Sequence, residues 1–250
     1  MAGWRLARIA LTLLGAQLAA GSSAAEDMKF DPNQWPFTAI GKLNVVTGPG
    51  SRGHCTATLV GRRHALTAAH CLYDRFRKTW VDPTSVHFVA AYAQGRYKAH
   101  SRAKSYQKSP EWDFDKGRSI LNLSNDWALI ELASEIDITP IRVGSIGETD
   151  IGTQAGIAQI IRAGYRRDRH QIMSAQHNCS VKQFTEPVSI LLHDCRAVPG
   201  ESGSALLHFS GNEPEIIGIL VAGPAMEGTA PSIAVPTRTF SSAVASALNQ

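Results

Sequence analysis

The stretch Gly200-Glu201-Ser202-Gly203-Ser204-Ala205 decides how this chain is read. It sets a serine in a glycine-flanked turn just before an apolar run. Glycine on either side lets the main chain turn sharply where other residues would be strained. Two earlier blocks give the serine a context. Leu66-Thr67-Ala68-Ala69-His70-Cys71 ends an apolar segment on a histidine, and Asn125-Asp126-Trp127-Ala128-Leu129-Ile130 opens another with an acid. Singly these are commonplace, since a histidine beside a cysteine is usually structural and an aspartate before a strand is usually a turn residue. In the order His70, Asp126, Ser202 they make one chemical set. A serine hydroxyl is a weak nucleophile until an imidazole takes its proton. A carboxylate behind the imidazole fixes its tautomer and stabilises the imidazolium. The amides of Gly200 and Ser202 are the expected donors to the oxygen that becomes charged.

The order of the three blocks excludes two architectures. An α/β-hydrolase runs serine, acid, histidine, with G-x-S-x-G at the nucleophile. Here Ser204 stands where the last glycine belongs, and only His208 follows Ser202. The subtilisin order, acid, histidine, serine, fails as well.

Outside these blocks, short apolar, β-branched runs recur between turn signals at residues 39–46, 56–60, 86–91, 127–132, 157–163, 190–193, 205–209 and 216–222. They read as strands of an all-β sandwich or barrel. One helix is expected, at Ser241–Leu248, near the end of the chain. The polar, basic segments 95–118 and 162–169 read as solvated loops rather than binding patches.

The chain has 250 residues, 44% of them hydrophobic and 18% charged, with 21 Gly and 12 Pro. Disorder, collagen and coiled coil are excluded by that composition. A net charge of +4 is too balanced for a nucleic-acid binder. Residues 1–25 contain no acid. Arg5 and Arg8 precede an apolar run at 9–20, and Ser23-Ala24-Ala25 closes the segment. This reads as a secretory leader, cleaved near Ala25. The run is too short to span a bilayer, so no stable membrane insertion is expected after cleavage. The expected location is periplasmic or secreted, and residues 26–36 form a short pro-segment or N-terminal arm.

An even number of cysteines, 55, 71, 179 and 195, after an export signal favours disulfides. Three pairings are open. The equal short spacings favour Cys55–Cys71 and Cys179–Cys195, each contributing about 3 kcal/mol by restricting the unfolded chain. Zinc is the rival, because His54, His70, His177 and His193 each sit within two residues of a cysteine. No C-x2-C pair is present and export favours oxidation, so no metal is expected.

The blocks Cys55-Thr56-Ala57-Thr58-Leu59-Val60, Leu66 to Cys71, and Leu191-Leu192-His193-Asp194-Cys195 leading into Gly200 to Ser204 resemble the chymotrypsin-like serine peptidases. The likeness is to the bacterial branch that includes V8-type glutamyl endopeptidases, and it covers the whole mature chain. It implies two six-stranded antiparallel β-barrels, at 37–145 and 146–238, with the active site in the cleft between them and a C-terminal α-helix at 239–250. It implies a serine endopeptidase acting on protein or peptide substrates as a monomer, without a cofactor. Gly218 to Gly223 resembles the segment that pairs with substrate backbone, which makes Val221, Ala222 and Gly223 expected substrate contacts. The competing expectation is a catalytically inactive binding protein of the same fold. An intact His70, Asp126 and Ser202 argue against it.

The chain also departs from the family. Glu201 replaces the Asp that pairs with a newly cut N-terminus in trypsins, and no Arg-Ile-Val-Gly-Gly activation site is present. Arg196 lies where trypsins place the acid of the primary pocket; as a substrate contact it is expected to reject Lys and Arg and favour acidic side chains, and the alternative reading is a surface residue. Leu220 and Ala197 replace the histidine and the hydroxyl residue that bind Glu in glutamyl endopeptidases.

Overall fold

The computed structural model describes residues 1, 30–48, 51–144, 157–185, 188–210, 213–224 and 231–249. The expected leader lies outside these residues apart from Met1, as does part of the expected N-terminal arm.

Two barrels carry the chain. In the first, β1 (Ile40–Gly48), β2 (Ser51–Gly61), β3 (His64–Thr67), β8 (Ala128–Leu132), β7 (Ala99–Lys108) and β6 (Val86–Ala90) close on one another in that order. A short hairpin, β4 (Tyr73–Asp74) with β5 (Thr79–Trp80), stands outside the barrel. In the second, β13 (Ala205–Ser210), β10 (Ile157–Gly164), β11 (Ser174–Thr185), β12 (Ile190–His193), β15 (Ser232–Pro236) and β14 (Glu213–Ala222) form the ring, closed by β13–β14 pairing. The strand β9 (Arg142–Val143) adds in parallel to β14, where Arg142 meets Glu215 at 2.9 Å.

Why the second barrel's strands read as continuous apolar runs is visible in their packing. Successive side chains of a strand point to opposite faces. Leu206, Ile217 and Leu220 pack with Ile160, Val181, Leu191 and the Cys179–Cys195 pair in the core of that barrel. Their neighbours Ala205, Leu207, Ile216, Ile219 and Val221 belong instead to the core shared with Leu43, Leu59, Leu66 and Ile130 of the first barrel. Both faces of β13 and β14 are therefore buried. Each apolar side chain so buried contributes about 1.5–3 kcal/mol.

Several expectations change here. The basic segment 95–118 contains the strand β7, in which buried Ser101 and Ala103 alternate with exposed Arg102 and Lys104. Its polar face hid it from a search for apolar runs. Ser174–Thr185 is a strand that its polar residues likewise concealed, and Ser232–Pro236 is a short apolar strand bounded by prolines. Residue 162, read as part of a solvated loop, is in β10 and fully buried. The helix Ser241–Leu248 lies where expected, with Val244 buried and Leu248 against Gly61 of the first barrel.

His193 is buried in β12, and neither ring nitrogen has a hydrogen-bond partner among the described residues. Desolvation, and secondarily Arg162, push its pKa down to about 3, while Asp194 opposes the shift. The unfolded chain therefore takes up a proton near pH 6.5 that the native protein refuses. Folding stability should fall as pH drops from about 6.5, by up to about 1.4 kcal/mol per unit from this group alone. Denaturant unfolding at pH 7 and pH 5 should show that loss, and His193→Leu should reduce it. An unchanged pH dependence in His193→Leu would contradict the assignment.

Candidate active site

His70 and Asp126 are brought together from distant sequence. His70 sits in a single 3-10 turn, Ala69–Leu72, directly after β3. Asp126 lies two residues before β8, the strand paired with β3. The imidazole Nδ1 is 2.6 Å from Asp126 Oδ2, and the His70 main-chain N–H donates to Oδ1 at 2.9 Å. The carboxylate thus orients the ring and fixes its loop at once. The Asp126 side chain is 3% exposed and that of His70 18%, so the acid is shielded while the imidazole reaches solvent.

Ser202 comes from the second barrel, and it lines with His70 a cleft of about 540 Å³. Among the described residues its hydroxyl has no hydrogen-bond partner. Catalytic hydrogen bonds of this kind often tighten only when substrate is present. The turn around the serine has a defined shape. Gly200 and Gly203 have φ of +97° and +80°. A Cβ on Gly200 would come 2.6 Å from the Tyr165 carbonyl oxygen, and one on Gly203 would collide with the Thr56 carbonyl. Both positions therefore require glycine.

The turn's amides divide into two groups. Glu201 N–H donates to Val198 O at 3.1 Å, Gly203 N–H to Leu220 O at 2.7 Å, and Ser204 N–H to Glu201 O at 2.9 Å. The amides of Gly200 and Ser202 donate to no described residue. These are the two donors expected for a developing oxyanion.

Two residues that sequence reasoning passed over hold this turn. Thr56 of β2 is fully buried. Its N–H donates to Ser202 O at 2.9 Å, its hydroxyl donates to Gly200 O at 3.3 Å, and its carbonyl accepts from Thr67 Oγ1 at 2.8 Å. The Thr56 hydroxyl also accepts the Tyr165 N–H at 2.9 Å. One side chain of the first barrel thereby ties down the Ser202 turn of the second.

Arg162 is the other. Its Nη1 is 2.9 Å from Glu201 Oε1, with side-chain exposures of 0% and 2%. Nη2 donates to the Arg196 carbonyl at 2.7 Å, and Glu201 Oε2 accepts the Val198 N–H at 2.8 Å. The Nη1 contact is an ion pair without the alignment of a hydrogen bond, and Nε is unpartnered among the described residues. The carboxylate before the serine thus has its counter-ion within the body of the chain. An arginine inside an apolar strand, with a glutamate next to the serine, was the available signal.

Arg196 is not brought to the cleft wall. Its N–H and carbonyl are clamped by Gln176, at 2.7 and 2.6 Å, and the residue is exposed, whereas its successors Ala197, Val198 and Pro199 line the cleft. Leu220, Val221, Ala222, Gly223 and Pro224 form the adjoining wall. Cys55 and Cys71 are joined, as are Cys179 and Cys195. The sulfurs of Cys55 and Cys71 lie close to His70. Being oxidised to a disulfide they offer no thiolate to a metal.

A family model described as Trypsin matches residues 27–244. The chain belongs to the trypsin family of serine peptidases. Serine protease 23 of Mus musculus and that of Homo sapiens are each 30% identical over 190 residues, which is 69% of this chain and 45% of theirs. The matched region thus spans less than half the length of those relatives. Among solved structures, a Glu endopeptidase in complex with MPD has a TM-score of 0.68 at 18% identity, covering 88% of this chain and 94% of that one. A thermostable serine protease, AL20, from an extremophilic microorganism has a TM-score of 0.65 at 17% identity, covering 85% and 98%. These two likenesses show the fold.

Removing one member of a buried ion pair typically costs about 3–5 kcal/mol, because the other charge is stranded. Arg162→Met should therefore destabilise the protein by about that amount in denaturant unfolding. The double variant Arg162→Met/Glu201→Gln should recover a large part of it. Arg162→Met protein as stable as the parent would show that the pair does not hold the turn.

Proposed function

We propose that this chain is an exported serine endopeptidase, with Ser202 as nucleophile, His70 as general base and acid, and Asp126 as the group that orients the imidazole. The observation that carries the proposal is the 2.6 Å contact of His70 Nδ1 with a shielded Asp126, facing the cleft that Ser202 also lines. Asp126 accepts a hydrogen bond from Nδ1–H, which leaves Nε2 as the basic nitrogen. Ser202 Oγ attacks the scissile carbonyl carbon as its proton passes to Nε2. The carbonyl oxygen takes the negative charge and accepts from the amides of Gly200 and Ser202. Collapse breaks the C–N bond, the amine leaves with the proton from His70, and an acyl-enzyme remains. Water, deprotonated by His70, then hydrolyses the ester.

In this reading the substrate strand lies along Val221, Ala222 and Gly223 and extends β14 by backbone hydrogen bonds. On that side Ala197, Val198 and residues 220–224 have no charged side chain of their own, and Arg118 is bonded to the Gly223 carbonyl. Gly223 faces Ala197 so closely that an added Cβ would sit 3.0 Å from Ala197 Cβ, which narrows the entrance. Export is supported by the leader-like residues 1–25 and by two disulfides, which persist in oxidising compartments. No helix among the described residues is long and apolar enough to cross a membrane.

Ser202→Ala should abolish peptide hydrolysis while circular dichroism and unfolding remain those of the parent. Asp126→Asn should lower kcat by about 10⁴, because the amide holds the imidazole in the wrong tautomer. Hydrolysis that survives in purified Ser202→Ala protein would remove the assignment. A near-normal rate in Asp126→Asn would place the acid elsewhere.

A further inference from the structure

Four arginines line the cleft around Ser202: Arg52, Arg75, Arg118 and Arg167. All four are exposed, and none forms an ion pair with a carboxylate among the described residues. Several arginines elsewhere on the surface are neutralised: Arg62 and Arg63 by Glu135, Arg77 by Asp74, Arg142 by Glu215 and Arg166 by Asp168. Arg96, Arg102 and Arg169 are exposed without an ion pair among the described residues, but they do not line the cleft. Asp74 is the one acid among the described cleft residues. It is buried, and its Oδ1 accepts the N–H groups of Phe76 and Arg77. The cleft therefore presents several guanidinium groups and no free carboxylate.

The four are not evenly placed. Arg118 Nη2 donates to the Gly223 carbonyl at 2.5 Å, so it belongs to the wall that receives the substrate strand in the reading above. The other three lie around His54 and the Cys55–Cys71 disulfide, and a Cβ on Gly200 would come 2.6 Å from His54 Nε2 and 2.8 Å from Arg167 N. Arg52 precedes His54-Cys55 on β2. Arg75 follows Asp74 in the hairpin beside Cys71, next to Phe76, which is 94% exposed. Arg167 is joined through its N–H to Pro199 O at 2.7 Å, immediately before the Gly200 turn. The Cys55–Cys71 disulfide lies between the first two. On the peptidase reading, a peptide whose N-terminal part runs along Val221–Gly223 continues past Ser202 toward this second group of arginines.

We propose that Arg52, Arg75 and Arg167 select peptides carrying acidic side chains immediately C-terminal to the scissile bond. The inference rests on the peptidase reading for the direction of the peptide, but the carboxylate preference is a property of the three arginines themselves. Planar guanidinium groups match carboxylates in two-point contacts. A cleft lined by one sign of charge also gathers oppositely charged ligands, more strongly at low ionic strength. An exposed Arg–carboxylate contact is worth about a two- to fivefold change in affinity, so two acids give about tenfold.

The test uses full-length Ser202→Ala protein and three fluorescent peptides of one sequence. One carries two Glu just after the central bond, one carries them just before it, and one has Gln throughout. Anisotropy titrations should give the first peptide about tenfold tighter binding than the Gln peptide, with the advantage shrinking as salt rises. Arg52→Gln/Arg75→Gln/Arg167→Gln in the same background should erase that advantage. Arg96→Gln/Arg102→Gln/Arg169→Gln, which removes equal charge outside the cleft, should keep it. Equal affinities for all three peptides, an equal gain for Glu before the bond, or a preference that survives the cleft variant would each overturn the proposal. Turnover of the Gln peptide by the parent protein is measured alongside. Turnover without a Glu preference sinks only this inference, whereas the preference without turnover sinks only the peptidase reading.

Discussion

Everything at this site depends on holding one turn, Gly200 to Ser204, in a conformation that leaves the amides of Gly200 and Ser202 without a partner among the described residues. Left-handed backbone at two positions and N–H groups without partners both work against folding. The turn persists because the surrounding structure determines it from several directions. Gly203 and Ser204 are bonded in opposite senses to Leu220, so the turn is joined to β14. Thr56 reaches across from the first barrel to two of the turn's carbonyls. Beneath it, Glu201 is anchored by Arg162. Each contact fixes the main chain rather than the serine side chain, which is what a site needs if the hydroxyl is to remain free to react.

The two-barrel arrangement follows from the same requirement. His70 and Asp126 are set by neighbouring strands, β3 and β8, of one barrel, and the serine turn by strands of the other. Their relative placement is only as good as the packing between barrels. That packing is continuous: Ala205, Leu207, Ile216, Ile219 and Val221 of β13 and β14 join the first barrel's core. Thr56 adds a polar key to the apolar contact. The buried Arg162–Glu201 pair means that the charge before the serine is balanced within the folded body, where Asp in trypsins relies on a newly cut terminus. A glutamate suits this partner because its extra methylene reaches a side chain that projects from β10.

Much of this was legible in the sequence, and the reason is chemical economy. His70, Asp126 and Ser202 sit in blocks whose residue types have few other joint explanations, and the apolar runs of β1, β6, β8, β10, β13 and β14 are strands because both or one of their faces are buried. The strands that escaped notice, such as β7, have polar residues on the exposed face and small ones inside, so no apolar run marks them. Arg162 was misread because charge in a basic stretch ordinarily means solvent. Only the position of Glu201 in space reveals why a guanidinium is buried there. Thr56 was visible as a strand residue but not as a tie between barrels, since its partners lie far along the chain. Arg196, placed by counting back from the serine, is exposed and directly precedes the cleft-lining residues Ala197 to Pro199.

The central claim is that the Ser202 turn, His70 and Asp126 form a working nucleophile with its oxyanion donors in place. Reaction of the purified protein with a fluorophosphonate tests it most directly, because the serine oxygen displaces fluoride only when base and oxyanion donors act together. Peptide mapping by mass spectrometry should find one phosphonyl group per molecule, on Ser202. An unlabelled protein, or a label on a different serine, would contradict the account.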